Sequence, residues 1–174
     1  MENILVTGGC GYIGSHVTLS LLKKGYNVSV IDSNINSSRS ILKKIQILSY
    51  AHKKIEIGKL SFYEGDIRNK LFLEKVFSEN SGKVKKINAV IHLAGLKSVK
   101  ESINFPEKYW DNNVNGSINL LNTMLDHSCF NLVFSSSATV YGHPKSTPIH
   151  EDFETKPINP YGLTKLKVEN VIKE

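Results

Sequence analysis

A short apolar run, Ile4-Leu5-Val6, leads straight into Thr7-Gly8-Gly9-Cys10-Gly11-Tyr12-Ile13-Gly14, and a helical pattern begins at once. This turn constrains the fold more than any other stretch of the chain. Gly8, Gly11 and Gly14 recur at every third position. Gly8 permits a tight turn, Gly11 removes the Cβ where a pyrophosphate would approach the backbone, and Gly14 lets the helix lie close to the strand. The helix N-terminus then aims its unpaired N–H groups at the phosphates. Glycines also serve ordinary turns, so the context decides: a strand before, a helix after, and an acid closing the next strand.

That acid is Asp32. A carboxylate in this position accepts hydrogen bonds from the adenosine ribose hydroxyls and repels a 2′-phosphate, so the spacing predicts NAD rather than NADP. Gly65-Asp66-Ile67, after the third predicted strand, is placed to reach the adenine in the same way.

Beyond the turn, apolar runs alternate with segments of helical period, the pattern of βα units in a parallel sheet. Strands are predicted at Ile4 to Thr7, Val28 to Asp32, Leu60 to Glu64, Ala89 to Leu93 and Leu132 to Ser135, all buried. Helices are predicted near 12 to 24, 38 to 53, 69 to 79 and 105 to 128, the last with Val114, Ile118, Leu121 and Leu125 on its apolar stripe. Asn159-Pro160 reads as an N-cap followed by proline at the first helical position, opening a final helix that runs to the C-terminus. The expected fold is a Rossmann-like, doubly wound α/β sheet in one domain, residues 1–174, with Leu5, Val30, Val90 and Val133 in its core.

Composition narrows the function classes. With 174 residues, 40% of them hydrophobic and 22% charged, the chain suits one soluble domain. The N-terminus lacks the basic and apolar regions of an export signal, and no apolar run approaches the about 18 residues of a membrane span. A cytoplasmic protein without membrane contact is expected. Cys10 and Cys129 are too few for a metal framework, so no metal is expected and both thiols should stay reduced. The net charge of +6 rests on scattered lysines, with Arg39 and Arg68 the only arginines. That pattern does not point to nucleic acid, whereas a basic surface suits an anionic dinucleotide or nucleotide sugar.

Tyr161-Gly162-Leu163-Thr164-Lys165 places a phenol and an ammonium one helical turn apart, on one face. A nearby lysine charge stabilises the phenolate, making the pair a candidate acid/base unit. Phe134-Ser135-Ser136-Ser137-Ala138-Thr139-Val140-Tyr141-Gly142 adds hydroxyls at the C-terminal end of the fifth predicted strand, where open α/β sheets bind ligands. Ser137 and Thr139 are the candidates for hydrogen bonds to a substrate oxygen.

These residues together resemble the extended short-chain dehydrogenase/reductase family: the TGGxGxxG turn, Asp32, Gly65-Asp66-Ile67-Arg68, His92-Leu93-Ala94-Gly95, and Ser137 with Tyr161 and Lys165. Gly9 to His16, Ala94 to Val99, Asn112 to Gly116 and Ser137 to Gly142 resemble its UDP-glucose 4-epimerase branch in particular. The resemblance implies that NAD touches Gly8, Gly11, Tyr12, Ile13, Gly14 and Asp32. It adds the run from Ser33 through Asn34 and Asn36 to Ser37, then Asp66, Ile67, the run Leu93-Ala94-Gly95 on to Lys97, and Asn112, Tyr161 and Lys165. It makes Ser137, Tyr161 and Lys165 the catalytic set, with Ser137, Thr139 and Tyr161 on the sugar.

The implied reaction interconverts UDP-glucose and UDP-galactose through a 4-keto intermediate, Tyr161 carrying the O4 proton while NAD carries the C4 hydride. Family members place a nucleotide-sugar domain after the helix that ends here, so the resemblance implies a sheet truncated before that substrate domain. A homodimer is compatible with it. Two rivals stand beside this reading: a non-catalytic NAD-binding fragment, and a sibling such as a nucleotide-sugar dehydratase. The dehydratase needs an acid beside the threonine to eliminate water, and Ser137-Ala138-Thr139 offers none.

Overall fold

The computed structural model describes residues 1–50, 58–81 and 86–174. Five strands form one parallel sheet in the order β3-β2-β1-β4-β5. They are β1 (Asn3–Thr7), β2 (Asn27–Asp32), β3 (Leu60–Glu64), β4 (Ile87–His92) and β5 (Asn131–Phe134). All five were legible to within two residues. β1 lies at the centre because it is apolar on both faces, each of its residues being buried. It pairs Thr7 with Ile31 of β2 on one side and with His92 of β4 on the other.

Strand alternation splits the core into two layers. Ile4 and Val6 of β1 point to one face with Val28, Val30, Leu22 and Ile45. That layer is closed by α1 (Tyr12–Lys23) and α2 (Ser40–Tyr50). Leu5 points to the other face with Ile31, Leu73, Phe77, Val90, Leu120 and Met124, under α3 (Lys70–Glu79) and α6 (Gly116–Asp126). Residues 51 to 53 of the predicted second helix lie outside the described residues.

Three expectations need correction. β3 and β5 are edge strands and only partly buried; Val133 is 61% exposed and takes no part in the core, because among the described residues β5 has a neighbour on one side only. The helix predicted over 105 to 128 is three pieces, α5 (Pro106–Tyr109), a π-turn (Trp110–Asn115) and α6, and a separate α4 (Val99–Asn104) precedes them. Pro106 opens α5 at its first position. Finally, Leu125 is 61% exposed, and the most deeply buried face carries Asn113, Ser117, Leu120 and Met124. Polar residues occupy the inner face here because they hold a hydrogen-bonded network, which an apolar stripe cannot reveal.

The last helix, α7 (Pro160–Lys173), begins as predicted: Asn159 caps it, its side chain accepting from Gly162 N at 2.8 Å. α7 packs on α4, on the π-turn and on a 3₁₀ turn (Ala138–Tyr141). The packing is close because of Gly162, where a Cβ would stand 2.8 Å from the Thr139 carbonyl oxygen. Glycine between the phenol and the ammonium therefore draws α7 onto the serine-rich loop.

Candidate functional site

Strand order reverses between β1 and β4, and a cleft opens at the C-terminal ends of these strands, where doubly wound sheets bind ligands. The glycine turn forms its floor. Gly8 has φ +70°, and a Cβ there would lie 2.8 Å from Ala94 N. A Cβ on Gly14 would lie 2.1 Å from the Gly8 carbonyl oxygen. A Cβ on Gly11 would meet only that oxygen, at 3.3 Å, and would otherwise project into open space. Two glycines thus serve the fold, and the third keeps the cleft clear.

Helix α1 begins here with no side-chain cap and no acidic residue in its first turn. Its exposed N–H groups and the positive end of its dipole face the cleft, an arrangement suited to a phosphate group.

Asp32, at the end of β2, lines the cleft and is held from three directions. Cys10 N donates to Oδ2 at 2.9 Å, Asn34 N donates to Oδ1 at 2.9 Å, and the Ser37 hydroxyl donates to Oδ1 at 2.7 Å. Burial, and then the carboxylates of Asp32 and Glu64, push the Cys10 thiol up to about 12. Cys10 is therefore an inert part of the turn.

Of the residues expected to hold a cofactor, Gly8, Gly11, Tyr12, Ile13, Gly14, Asp32, Ser33, Asn36, Asp66, Ile67, Leu93, Ala94, Gly95, Lys97, Asn112, Tyr161 and Lys165 all line this cleft. Asn34 and Ser37 do not; they stand behind Asp32 and fix its carboxylate. Ser137 caps the 3₁₀ turn and Thr139 lies on it, and neither is in the lining of the cleft. Ser135 lines it and was not anticipated: its backbone carbonyl, rather than its hydroxyl, is the working group. Only the fold, by setting the end of β5 against α7, reveals it.

That carbonyl accepts from Lys165 Nζ at 2.8 Å. The ammonium also lies 4.8 Å from the Phe134 ring centroid and 6.0 Å from that of Tyr161. Lys165 is 6% exposed, and burial lowers its pKa to about 8. A buried lysine that lines a cleft and has, among the described residues, one neutral hydrogen-bond acceptor is costly to the fold, which is characteristic of a working site. Ser137 Oγ accepts from both Thr139 N and Thr139 Oγ1. Its own proton is thereby left to donate.

Behind the cleft runs a buried polar line. The Ser117 hydroxyl donates to Asn113 O, so it accepts from His92 Nε2 at 2.8 Å. His92 Nδ1 is then the acceptor, taking a hydrogen bond from Thr7 Oγ1 at 2.7 Å. Asn113 continues the line, its amide accepting from Leu96 N and donating to Leu96 O. One imidazole tautomer thus joins the end of β1 to the π-turn.

Burial, and then the Lys165 charge, lowers the His92 pKa to about 3. The folded state holds this ring neutral while the unfolded chain protonates it near pH 6.5. Stability is fully present above pH 6.5 and is lost as pH falls toward 3. Between pH 6.5 and 5, urea titrations should show a loss approaching about 1.4 kcal/mol per pH unit. The slope should flatten in His92→Gln; an unchanged slope in that variant would assign the acid sensitivity elsewhere.

Comparison with known proteins fits this arrangement. The family model for GDP-mannose 4,6 dehydratase matches residues 5–174. The chain belongs to that family. Among curated family relatives, UDP-glucose 4-epimerase 2 of Oryza sativa subsp. japonica is 47% identical over the whole of this chain, which covers 40% of the relative. The UDP-glucose 4-epimerase of Neisseria meningitidis serogroup A is 46% identical, with 48% of it covered. The solved UDP-glucose 4-epimerase of Bifidobacterium longum in complex with NAD+ and UDP superposes with a TM-score of 0.89 at 40% identity, over 99% of this chain and 48% of that one. The chain spans about half the length of the curated relatives it matches.

No described helix is long and apolar enough to cross a membrane.

Proposed function

We propose that residues 1–174 form the NAD-binding and catalytic half of a UDP-glucose 4-epimerase, interconverting UDP-glucose and UDP-galactose. The observation that carries the proposal is Lys165, buried at the ligand-binding end of the sheet with Tyr161 on the same helix face. The 40% to 47% identity to epimerases, one of them solved with NAD+ and UDP, supports it.

The cleft fits NAD. The clear space over Gly11 and the uncapped start of α1 suit the pyrophosphate, and Asp32 suits the adenosine ribose. Bound there, NAD would supply a hydride acceptor and donor for C4 of the sugar. Tyr161 takes the O4 proton and later returns it, and Ser137 donates a hydrogen bond to that oxygen. Lys165, charged below about pH 8, sets its ammonium 6.0 Å from the centroid of the Tyr161 ring.

The family's name points to a dehydratase, but water elimination needs an acid near the sugar. The carboxylates lining the cleft, Asp32 and Asp66, lie on the β2 and β3 side, across the sheet from Tyr161. A non-catalytic NAD-binding role would account for the glycine turn, Asp32 and Lys165 but gives no reason for Tyr161 to stand one helical turn from that ammonium at the mouth of the serine loop. A cytoplasmic setting agrees with two unpaired cysteines. A homodimer has apolar surface available in the exposed Leu71 and Leu125, on the packed helices α3 and α6.

Calorimetry tests the cofactor directly. NAD is expected to bind the protein about 10-fold or more tightly than NADP, whose 2′-phosphate would sit against the Asp32 carboxylate. Equal or tighter NADP binding would overturn this.

A further inference from the structure

Arg68 follows the β3 loop and spends its guanidinium on two carboxylates. Nε donates to Asp66 Oδ1 and Oδ2 at 3.1 and 3.0 Å, and Nη2 to Asp66 Oδ2 at 2.7 Å. Nη1 crosses to Asp111 Oδ2, in the π-turn, at 2.8 Å. The backbone joins in: Arg68 N donates to Asp66 Oδ1 at 2.9 Å, and Asn119 Nδ2 of α6 donates to Arg68 O at 2.8 Å. Gly116 lets α6 approach, since a Cβ there would meet the Ile67 side chain at 2.9 Å.

The clasp joins two walls of the cleft. Asp66 and Ile67 line it from the β3 side, and Asn112, next in sequence to Asp111, lines it from the π-turn. The far flank of the same π-turn is fixed by Asn113 on the Leu96 backbone. The π-turn is therefore gripped from both sides, and the grip on the β3 side is Arg68.

We propose that Arg68 is a positioning residue that sets the π-turn against the β3 loop, so that Asp66 and Asn112 engage a single dinucleotide together. The proposal rests on the NAD reading of the cleft and adds an energetic coupling between its two ends. Hydrogen bonds from Arg68 hold the Asp66 and Asp111 carboxyls below the usual carboxylate range, keeping both ionised around the fork. The Arg68 side chain is 41% exposed, so its individual ion pairs add little to stability. Its planar, forked geometry carries the positioning, which an ammonium cannot reproduce.

The test is calorimetry of the protein with two probes, NAD and AMP, AMP reporting the adenine end alone. Arg68→Gln should weaken NAD about 10-fold and AMP about 3-fold. Asp111→Asn, which leaves Asp66 untouched, should weaken NAD about 5-fold with AMP within about 2-fold of wild type. The double variant should be no worse than Arg68→Gln, because both changes break one link. Arg68→Lys, which keeps the charge and removes the fork, should recover only part of the loss. Circular dichroism at the titration temperature establishes that each variant is folded. Equal losses for NAD and AMP in Arg68→Gln, or no NAD loss in Asp111→Asn, would overturn the coupling while leaving the NAD reading in place. A wild-type protein binding neither probe would overturn both.

Discussion

Tyr161→Phe is expected to slow epimerisation by about 10²- to 10⁴-fold while leaving NAD bound. The phenol is the proposed proton carrier, one of many residues that line the cleft, and Phe keeps the ring that stands there. Residues 1–174 joined to the C-terminal half of the N. meningitidis relative would provide the enzyme for the measurement. Lys165→Ala should differ by losing both rate and NAD affinity. It removes a charge beside the phenol and also vacates a buried position against Ser135 O and Phe134. If Tyr161→Phe kept near-normal turnover, the proton carrier would lie elsewhere.

The second large effect separates two glycines that look alike in sequence. Gly14→Ala should fail to fold or unfold at markedly lower temperature, since its Cβ would stand 2.1 Å from Gly8 O and 2.7 Å from Gly9 Cα, both backbone atoms. Such a clash forces the turn apart and falls among the large destabilising mechanisms, of order 4 kcal/mol or more. Gly11→Val should stay folded, because its only close neighbour is Gly8 O at 3.3 Å. It should nonetheless lose most NAD affinity, its branches filling the space over the turn. Thermal melts with calorimetry on both variants would decide. A stable Gly14→Ala protein, or a Gly11→Val protein binding NAD normally, would contradict this reading of the turn.

The parts legible in sequence were those governed by local pattern. The β1 run, the glycine turn, Asp32 and the Asn159-Pro160 helix start each carry their physics within a few residues, and each lies where the pattern put it. What escaped was set by tertiary contact. The π-turn at Trp110–Asn115 has no periodic signature, because its shape comes from Asn113 binding Leu96 and Asp111 binding Arg68. Of the apolar stripe read over the π-turn and α6, Val114 is buried and Leu125 exposed; the pattern could not show that Asn113 and Ser117 are buried too, as partners of Leu96 and His92. Asn34 and Ser37, which the family resemblance puts on the cofactor, donate to the Asp32 carboxylate, Asn34 through its backbone N–H and Ser37 through its hydroxyl. Ser135 was missed since a backbone carbonyl leaves no mark on the residue type.

The most direct measurement follows the C4 hydrogen of the sugar. UDP-galactose deuterated at C4, given to residues 1–174 joined to the N. meningitidis C-terminal half and its bound NAD with no added oxidant, should become UDP-glucose that keeps its deuterium at C4. NMR of the product reads this without separation. Deuterium lost to water, a 4-keto-6-deoxy product, or a folded, NAD-loaded protein that leaves the sugar untouched would contradict C4 epimerisation.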